Sequence, residues 1–406
     1  MSEPGDEPAD DAAEPTLAQV AARVGISAAT VRRWVARELV PGFDGHWTPA
    51  AIAYVRVVAR LRSRGHSIEQ IKRASDEGQL AIGPIENLLN ITGPPRSLRE
   101  VARASGLAPE LIRQMYSSMG LGGLALEGLT DEDIQMMRYA AAVIDAGFPQ
   151  AAYLQLLRVY GQAVAQVADA EVRLMHLYVH EPLMRAGMAN VEIAEEMEGM
   201  AREMLPLASP FLSFLHGRLL SHFVEQDMIG HMEADLDREA LKEGHVRVAI
   251  AFADLAGYAR LTVEQGDEAA LSTVERFVEA VAVNLPADAR VIKTLGDEVM
   301  VVGSDAGALT AWAVRLQAGI ASGEPPPRIG VHYGEALYRD GDYFGSDVNQ
   351  AARVVARAGG GEVLVTRPVV EVADGVGGLQ FDRIGEVRLK GFSEATELFL
   401  ASSREG

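Results

Sequence analysis

Phe252-Ala253-Asp254-Leu255-Ala256-Gly257-Tyr258 and, further on, Ile292-Lys293-Thr294-Leu295-Gly296-Asp297-Glu298 decide how the C-terminal part of this chain folds. The first closes an apolar run, Val246–Phe252, of the length of a buried strand, and breaks at Gly257. The second is the middle of a hairpin, Ala289–Thr294 and Glu298–Gly303, turned at Leu295-Gly296-Asp297. Working outward, periodicity predicts helices over Glu268–Val283, Ala308–Ala321 and Asp347–Ala358. It predicts further strands at Arg328–Tyr333, Glu362–Thr366 and Thr396–Leu400. The order β-α-β-β-α-β is that of an α+β ferredoxin-like palm with additions. In a palm the end of the first strand neighbours the central hairpin turn. Asp254 and Asp297 are therefore expected to lie together and to share Mg²⁺ or Mn²⁺, ions that take hard oxygen ligands and a substrate phosphate. Taken singly, Asp254 also fits an N-cap and Asp297 a turn residue.

Three more pieces come in order: Arg-Ile-Gly-Val-His-Tyr-Gly-Glu at 328–335, Gly-Asp-Tyr-Phe-Gly-Ser-Asp-Val-Asn-Gln-Ala-Ala-Arg at 341–353, and Leu389-Lys390-Gly391. With the two stretches above, the chain resembles the class III nucleotidyl cyclases over about residues 246–400. The resemblance implies that Asp254 and Asp297 hold two metal ions per active site. It implies that Lys293 and Asp342 read the purine, that Asn349 orients the ribose, and that Arg353 stabilises charge on the α-phosphate. Lys390 matches a triphosphate-binding lysine. In that family two catalytic domains pair head to tail, and the metal aspartates face the other residues across the interface, so a homodimer is implied.

The chemistry suits these residue types. Attack of the ribose 3′-oxygen on the α-phosphate is an in-line displacement, in which two metals clamp the attacking and leaving oxygens. Adenine offers an acceptor at N1 and a donor at N6, which match a lysine that only donates and an aspartate that only accepts. Guanine inverts that pattern, so ATP is the expected substrate. The Gly-Gly-Asp/Glu-Glu-Phe turn of diguanylate cyclases is absent, and Leu-Gly-Asp-Glu-Val stands there instead.

The chain has 406 residues, 48% of them apolar and 23% charged, which fits two or three soluble globular domains. It has no cysteine, which excludes disulfides, thiolate metal sites and cysteine nucleophiles. No apolar run approaches a membrane span. Residues 1–15 carry six acids and no base, unlike a leader peptide, and are expected to be a disordered tail on a cytoplasmic protein. The net charge of −20 opposes binding of the whole chain to nucleic acid. Residues 16–80 nevertheless hold ten Arg or Lys against five acids.

That basic segment resembles the DNA-binding domain of the MerR family, a helix-turn-helix. Thr30–Arg37 would be the recognition helix, with Arg32, Arg33 and Arg37 free for phosphate or base edges. The wing, Pro-Gly-Phe-Asp-Gly-His-Trp at 41–47, lacks that family's arginines, so weak DNA binding at most is expected. The segment also recurs. Thr16-Leu17, Val20-Ala21, Gly25-Ile26 and Val31-Arg32 return as Ser97-Leu98, Val101-Ala102, Gly106-Leu107 and Ile112-Arg113. Thr48, Ile52, Arg56 and Gly65 then match Thr130, Ile134, Arg138 and Gly147. Gly93-Pro94-Pro95 is the expected linker between the copies. The second copy and the helical stretch after it, residues 97–240, resemble the helical regulatory domain of the pH-responsive mycobacterial adenylyl cyclases. The resemblance implies a dimeric, autoinhibitory unit with room for a lipid-like ligand, lined in part by methionines at 184–204. Pro182, Pro206 and Pro210 read as punctuation between its helices.

Four segments are thus expected: the tail 1–15, a helix-turn-helix over 16–80, a helical regulatory domain over 97–240, and a cyclase domain over 244–406. The expected activity is conversion of ATP to cyclic AMP. The rival reading is a transcription regulator whose cyclase-like domain only senses nucleotide. His176, His180, His216, His222 and His231 gather in the stretch before the catalytic domain, where modest acidification can charge several at once.

Overall fold

The computed structural model describes residues 15–80, 95–122, 126, 128–188, 190–234, 242, 244–283, 285–320, 324–373 and 377–404. Nearly all of the expected acidic tail, and Gly93-Pro94 of the expected linker, lie outside the described residues. The chain divides into two compact units, Met1–Arg218 and Leu219–Gly406.

The first unit is helical. Its elements begin with α1 (Leu17–Val24), α2 (Ala28–Ala36), α3 (Pro49–Ser63) and α4 (Ile68–Asp76), followed by α5 (Leu98–Ser105), α6 (Pro109–Ser118) and α7 (Asp131–Asp145). Then come α8 (Gln150–Met175), a π-helical turn His176–His180, α9 (Glu181–Arg185) and α10 (Asn190–Ala234). The internal repeat is a repeat of helix caps. Thr16 and Ser97 each build a capping box, with Gln19 and Glu100. Gly25 and Gly106 each end the helix in the left-handed region, φ 74° and 79°. Thr48 and Thr130 precede α3 and α7. Ser67, the N-cap of α4, corresponds to Pro149 before α8, so the fourth helix of the second copy is the long one. Each copy buries its own core, Val20, Val31, Trp34, Val55 and Ile71 in the first and Val101, Ile112, Met115 and Met137 in the second.

The wing segment turns inward, and one expectation changes. Phe43 stacks on Trp47 at 4.5 Å, and Trp47 is buried in the first core, so the wing segment is used for packing. Pro206 and Pro210 do not divide helices but lie inside α10. A proline inside a long helix removes one hydrogen bond and bends the axis without ending it. Of the methionines at 184–204, Met184, Met188 and Met197 join a small core with Ile193, whereas Met200 and Met204 are exposed.

The second unit is an eight-stranded mixed sheet with helices. Its order is β1 (His245–Leu255), α11 (Tyr258–Gln265), α12 (Asp267–Ala282), β2 (Arg290–Leu295), β3 (Glu298–Gly303), α13 (Ala306–Gly319), β4 (Pro327–Arg339) and β5 (Asp342–Phe344). Then follow α14 (Ser346–Val355), β6 (Val363–Thr366), α15 (Arg367–Ala373), β7 (Leu379–Arg388) and β8 (Ala395–Ser403). The strands lie in the order β2-β3-β1-β4-β6-β8-β7, with β5 on β4. The first four are the palm, and only the β4–β6 pairing is parallel.

Alternation along β1 sorts the two faces. Ala249, Ala251, Ala253 and Leu255 pack with Phe277 of α12 and Leu309, Trp312 and Ala313 of α13. Val248, Ile250 and Phe252 pack with Val348, Ala351 and Val355 of α14. Asp254 continues this second series, so its side chain belongs to the α14 face. A Cβ on Gly330 would stand 2.3 Å from the Val355 nitrogen, and one on Gly334 would stand 2.1 Å from Asp347 Oδ2. Those two glycines of the 328–335 motif let α14 lie directly on β4.

Candidate active site

Sheet register brings the two metal-candidate aspartates together. Asp254 stands opposite Glu298 on β3 and opposite Arg328 on β4, so the turn before Glu298 falls beside it. Asp254 is buried, at 8% exposure, and accepts hydrogen bonds from the Arg328 guanidinium, one of them from Nε at 2.7 Å. The Asp297 carboxyl is pushed up to about 6, first by burial and then by the hydrogen bond and charge it shares with Asp254. Burial and the Asp254 charge also raise Glu298. Sequence reasoning places Arg328 in a motif and gives it no role. Its strand position opposite Asp254 was the signal available.

A crowded pair of carboxylates is a donor set for a hard divalent cation. Among the described residues no group of three or more His, Cys, Asp or Glu is placed to hold a metal by itself. The pair therefore fits ions whose remaining ligands come from substrate oxygens and water. Ala256, just past Asp254, donates its N–H to the Pro326 carbonyl at 3.1 Å, and α11 begins two residues later.

The base-reading candidates also meet. Lys293 Nζ lies 2.5 Å from Asp342 Oδ2, and the other Asp342 oxygen accepts the Tyr343 N–H at 2.8 Å. A bulge in β2 makes this possible. The register slips between Val291 and Lys293, so that Lys293 rather than Ile292 stands opposite Met300. Met300 belongs to the α14 face, so the extra residue turns Lys293 toward the same side as Asp254. Without the slip, Lys293 would point into the core under α12 and α13.

Asn349 and Arg353 are one helical turn apart on α14, and both are exposed. No side-chain hydrogen bond or ion pair joins either to another described residue. The helix that carries them is pinned at its start. Asp347 Oδ2 accepts the Glu335 N–H at 2.7 Å and faces His332 Nε2 at 3.9 Å. His332 is buried, and its Nδ1 meets Thr366 Oγ1 of β6 at 2.8 Å. Lys390 is exposed in the turn after β7. Within one chain, the structure thus joins Asp254 with Asp297 and Lys293 with Asp342. It shows no contact between Lys390 and either pair among the described residues.

On the first unit, Arg32, Arg33 and Arg37 of the expected recognition helix are exposed. Among the described residues no helix is long and apolar enough to cross a membrane.

Comparison with known proteins finds two families along the chain. The family described as adenylate cyclase regulatory domain matches residues 34–222, and the adenylate and guanylate cyclase catalytic domain matches residues 241–402. An adenylate cyclase of Streptomyces coelicolor is 31% identical over 279 residues, covering 67% of this chain and 70% of that protein. A pH-sensitive adenylate cyclase of Mycobacterium tuberculosis is 27% identical over 355 residues, covering 85% of this chain and 86% of that one.

Proposed function

This chain belongs to the class III adenylate cyclases that carry a helical regulatory domain ahead of the catalytic one, and from that premise we propose that it converts ATP to 3′,5′-cyclic AMP and pyrophosphate at sites shared by two copies of the chain. The observation that carries the choice of ATP is the Lys293–Asp342 ion pair. A donor and an acceptor already side by side match N1 and N6 of adenine, and mispair with O6 and N1–H of guanine.

Cyclases of this class work with divalent metals. Asp254 and Asp297 would hold Mg²⁺ or Mn²⁺, two ions per site, which lower the pKa of the 3′-hydroxyl and offset charge on the phosphates. Asn349 would orient the ribose, and Arg353, four residues on, would meet charge growing on the α-phosphate oxygens. Arg328, held beside Asp254, is a second guanidinium at the triphosphate end, and Lys390 is offered as a further phosphate ligand. The Asp254–Asp297 and Lys293–Asp342 pairs lie on the α14 face, which a second copy would cover to complete the sites.

Several features support a dimer and control by the helical half. α10 exposes Leu207, Phe211 and Phe214, spaced four and three residues apart on one side of the helix, by well over half of their area, an apolar stripe of the kind that self-association covers. The sequence likeness to a pH-sensitive cyclase supports acid regulation. The helix-turn-helix likeness of residues 16–80 is read as a packing module with weak DNA contact at most, because its wing is folded into its own core. The regulatory domain is also read as having room for a lipid-like ligand, although of the five methionines at 184–204 Met197 is buried and Met184 and Met188 pack against it.

The test is cyclic AMP formation from ATP with Mg²⁺ or Mn²⁺, in the wild type and in two variants. Asp254→Ala and Arg353→Ala should each be inactive alone and recover part of the activity when mixed under subunit exchange, because one mixed site is then intact. Absence of any product from the wild type would favour the rival reading, a regulator that only senses nucleotide. Activity in the wild type without recovery on mixing would remove the shared site.

A further inference from the structure

Arg290, at the start of β2, is caged by three aromatic rings. Its guanidinium carbon lies 5.5 Å from the ring centre of Phe223, 5.6 Å from that of Tyr343 and 5.9 Å from that of Tyr338. It also donates a hydrogen bond to the Tyr343 hydroxyl. Tyr338 and Tyr343 are opposite residues of the β4–β5 hairpin, with rings 5.1 Å apart, and Tyr343 is buried. Phe223 comes from α10, in the part of that helix, from Leu219 on, that belongs to the second unit with β2 and β5. None of the chemistry above uses this guanidinium.

Its position gives it a task. Arg290 stands opposite Val302 and Lys293 opposite Met300, and both partners belong to the α14 face, so the β2 bulge puts both cations on one side. Across from them, Asp342 and Tyr343 are adjacent on β5. Two contacts therefore tie β5 to β2, Lys293 to Asp342 and Arg290 to Tyr343. A purine engages Lys293 and Asp342 separately, which loosens the first tie. The second is then what keeps the donor and acceptor at base-reading distance.

We propose that Arg290 is a positioning residue for purine recognition, and that Phe223 of α10 closes its cage, so that the seating of α10 sets the affinity of the site for ATP. The proposal rests on the ATP reading above. A planar guanidinium can stack on rings and bond Tyr343 at once, which an ammonium cannot reproduce. Phe223 packs on Arg290 within the second unit, so a shift of this end of α10 changes how firmly the base-reading pair is held.

The experiment uses the full chain with Arg290→Lys, Phe223→Ala, Tyr343→Phe and the Arg290→Lys/Phe223→Ala double variant. Steady-state rates with ATP and GTP are measured, together with equilibrium binding of α,β-methylene-ATP. Arg290→Lys should raise KM and the analogue's Kd about five- to tenfold, with kcat within about threefold, and should narrow the preference for ATP over GTP. Phe223→Ala should shift the same quantities by about two- to fourfold, and Tyr343→Phe should move them in the same direction. The double variant should be no worse than Arg290→Lys alone, since both act through one cage. Phe223 is partly exposed on a helix, so its variant stays informative if Arg290→Lys folds poorly. Unchanged KM, Kd and nucleotide preference in the Arg290 and Phe223 variants would overturn the proposal, as would a double variant that merely adds the two effects. Wild type that binds the analogue but turns over no ATP would sink the cyclase reading, and the binding arm would still decide this one.

Discussion

Lys293 reaches the α14 face through a single extra residue in β2, and its pairing with Asp342 depends on that local irregularity. A lysine held against one aspartate oxygen has its charge offset until a base arrives, after which both groups have partners again. Lys293→Gln keeps a donor but loses the charge and leaves Asp342 without its cation. Its kcat/KM for ATP is expected to fall about a hundredfold while that for GTP changes far less, which parallel assays with both nucleotides would read. An unchanged ratio of the two would mean that the pair does not read the base. Gly330 is a second residue on which much hangs. A methyl group there meets the backbone of α14 and not a flexible side chain, so Gly330→Ala should destabilise the catalytic unit by about 3 kcal/mol. Denaturant unfolding followed through that unit's transition checks it, and a loss within experimental error would mean that α14 is not seated so closely.

At the scale of elements, the proposed site depends most on α14, because Asn349 and Arg353 ride on it. Asp347 fixes its start, and its carboxyl is held below the ordinary 3.8, first by its hydrogen bond with His332. A lowered folded pKa means that the stabilisation is fully present above the unfolded value and is lost as pH falls through the folded one. The stability difference between wild type and Asp347→Asn should therefore be widest above about pH 5 and close toward pH 3. Thermal melts across that range would show it, and a difference that stays constant would remove the charge of Asp347 from the account. Much at this scale was legible in the sequence. The palm order, the hairpin around Asp297 and the caps of both helical copies follow from periodicity, glycine and capping residues, which act over a few neighbours. The elements that the sequence did not announce are α11, β5, α15 and β7. β5 is three residues long and exists because it pairs with the end of β4, and no local pattern can encode that. The π-helical turn at 176–180, the bulge beside Lys293 and the inward turn of Phe43 and Trp47 are likewise set by tertiary packing. Arg328 was missed for a related reason, since only strand register places it on Asp254.

At the scale of the whole molecule, the proposed control by acid has a candidate among the described residues of the first unit, a pair of histidines. His180 is buried at 1% exposure, with Nε2 2.9 Å from the Gly78 carbonyl and Nδ1 3.0 Å from His176 Nδ1. A carbonyl only accepts, so His180 must donate from Nε2 and accept at Nδ1 from the Nδ1–H of His176. That assignment leaves His176 Nε2 facing Glu181 at 3.6 Å, and Glu181 is also paired with Arg185. One proton can be taken up at His176 Nε2 without disturbing the pair. A second, on His180 Nδ1, sets two N–H groups head to head, and the His176–His180 contact within the turn breaks while Nε2 still donates to Gly78. Of the other three histidines, His216 and His222 are exposed on α10, and the side chain of His231 lies outside the described residues. If the proposed control runs through this pair, full-length protein gains cyclase activity as pH is lowered from about 8 to 5.5. His180→Gln keeps a donor for Gly78 and cannot titrate, so its profile should be flatter over that interval. Matching profiles for wild type and variant, at equal thermal stability, would show that the control by pH lies elsewhere, with the exposed histidines of α10 the next to be replaced.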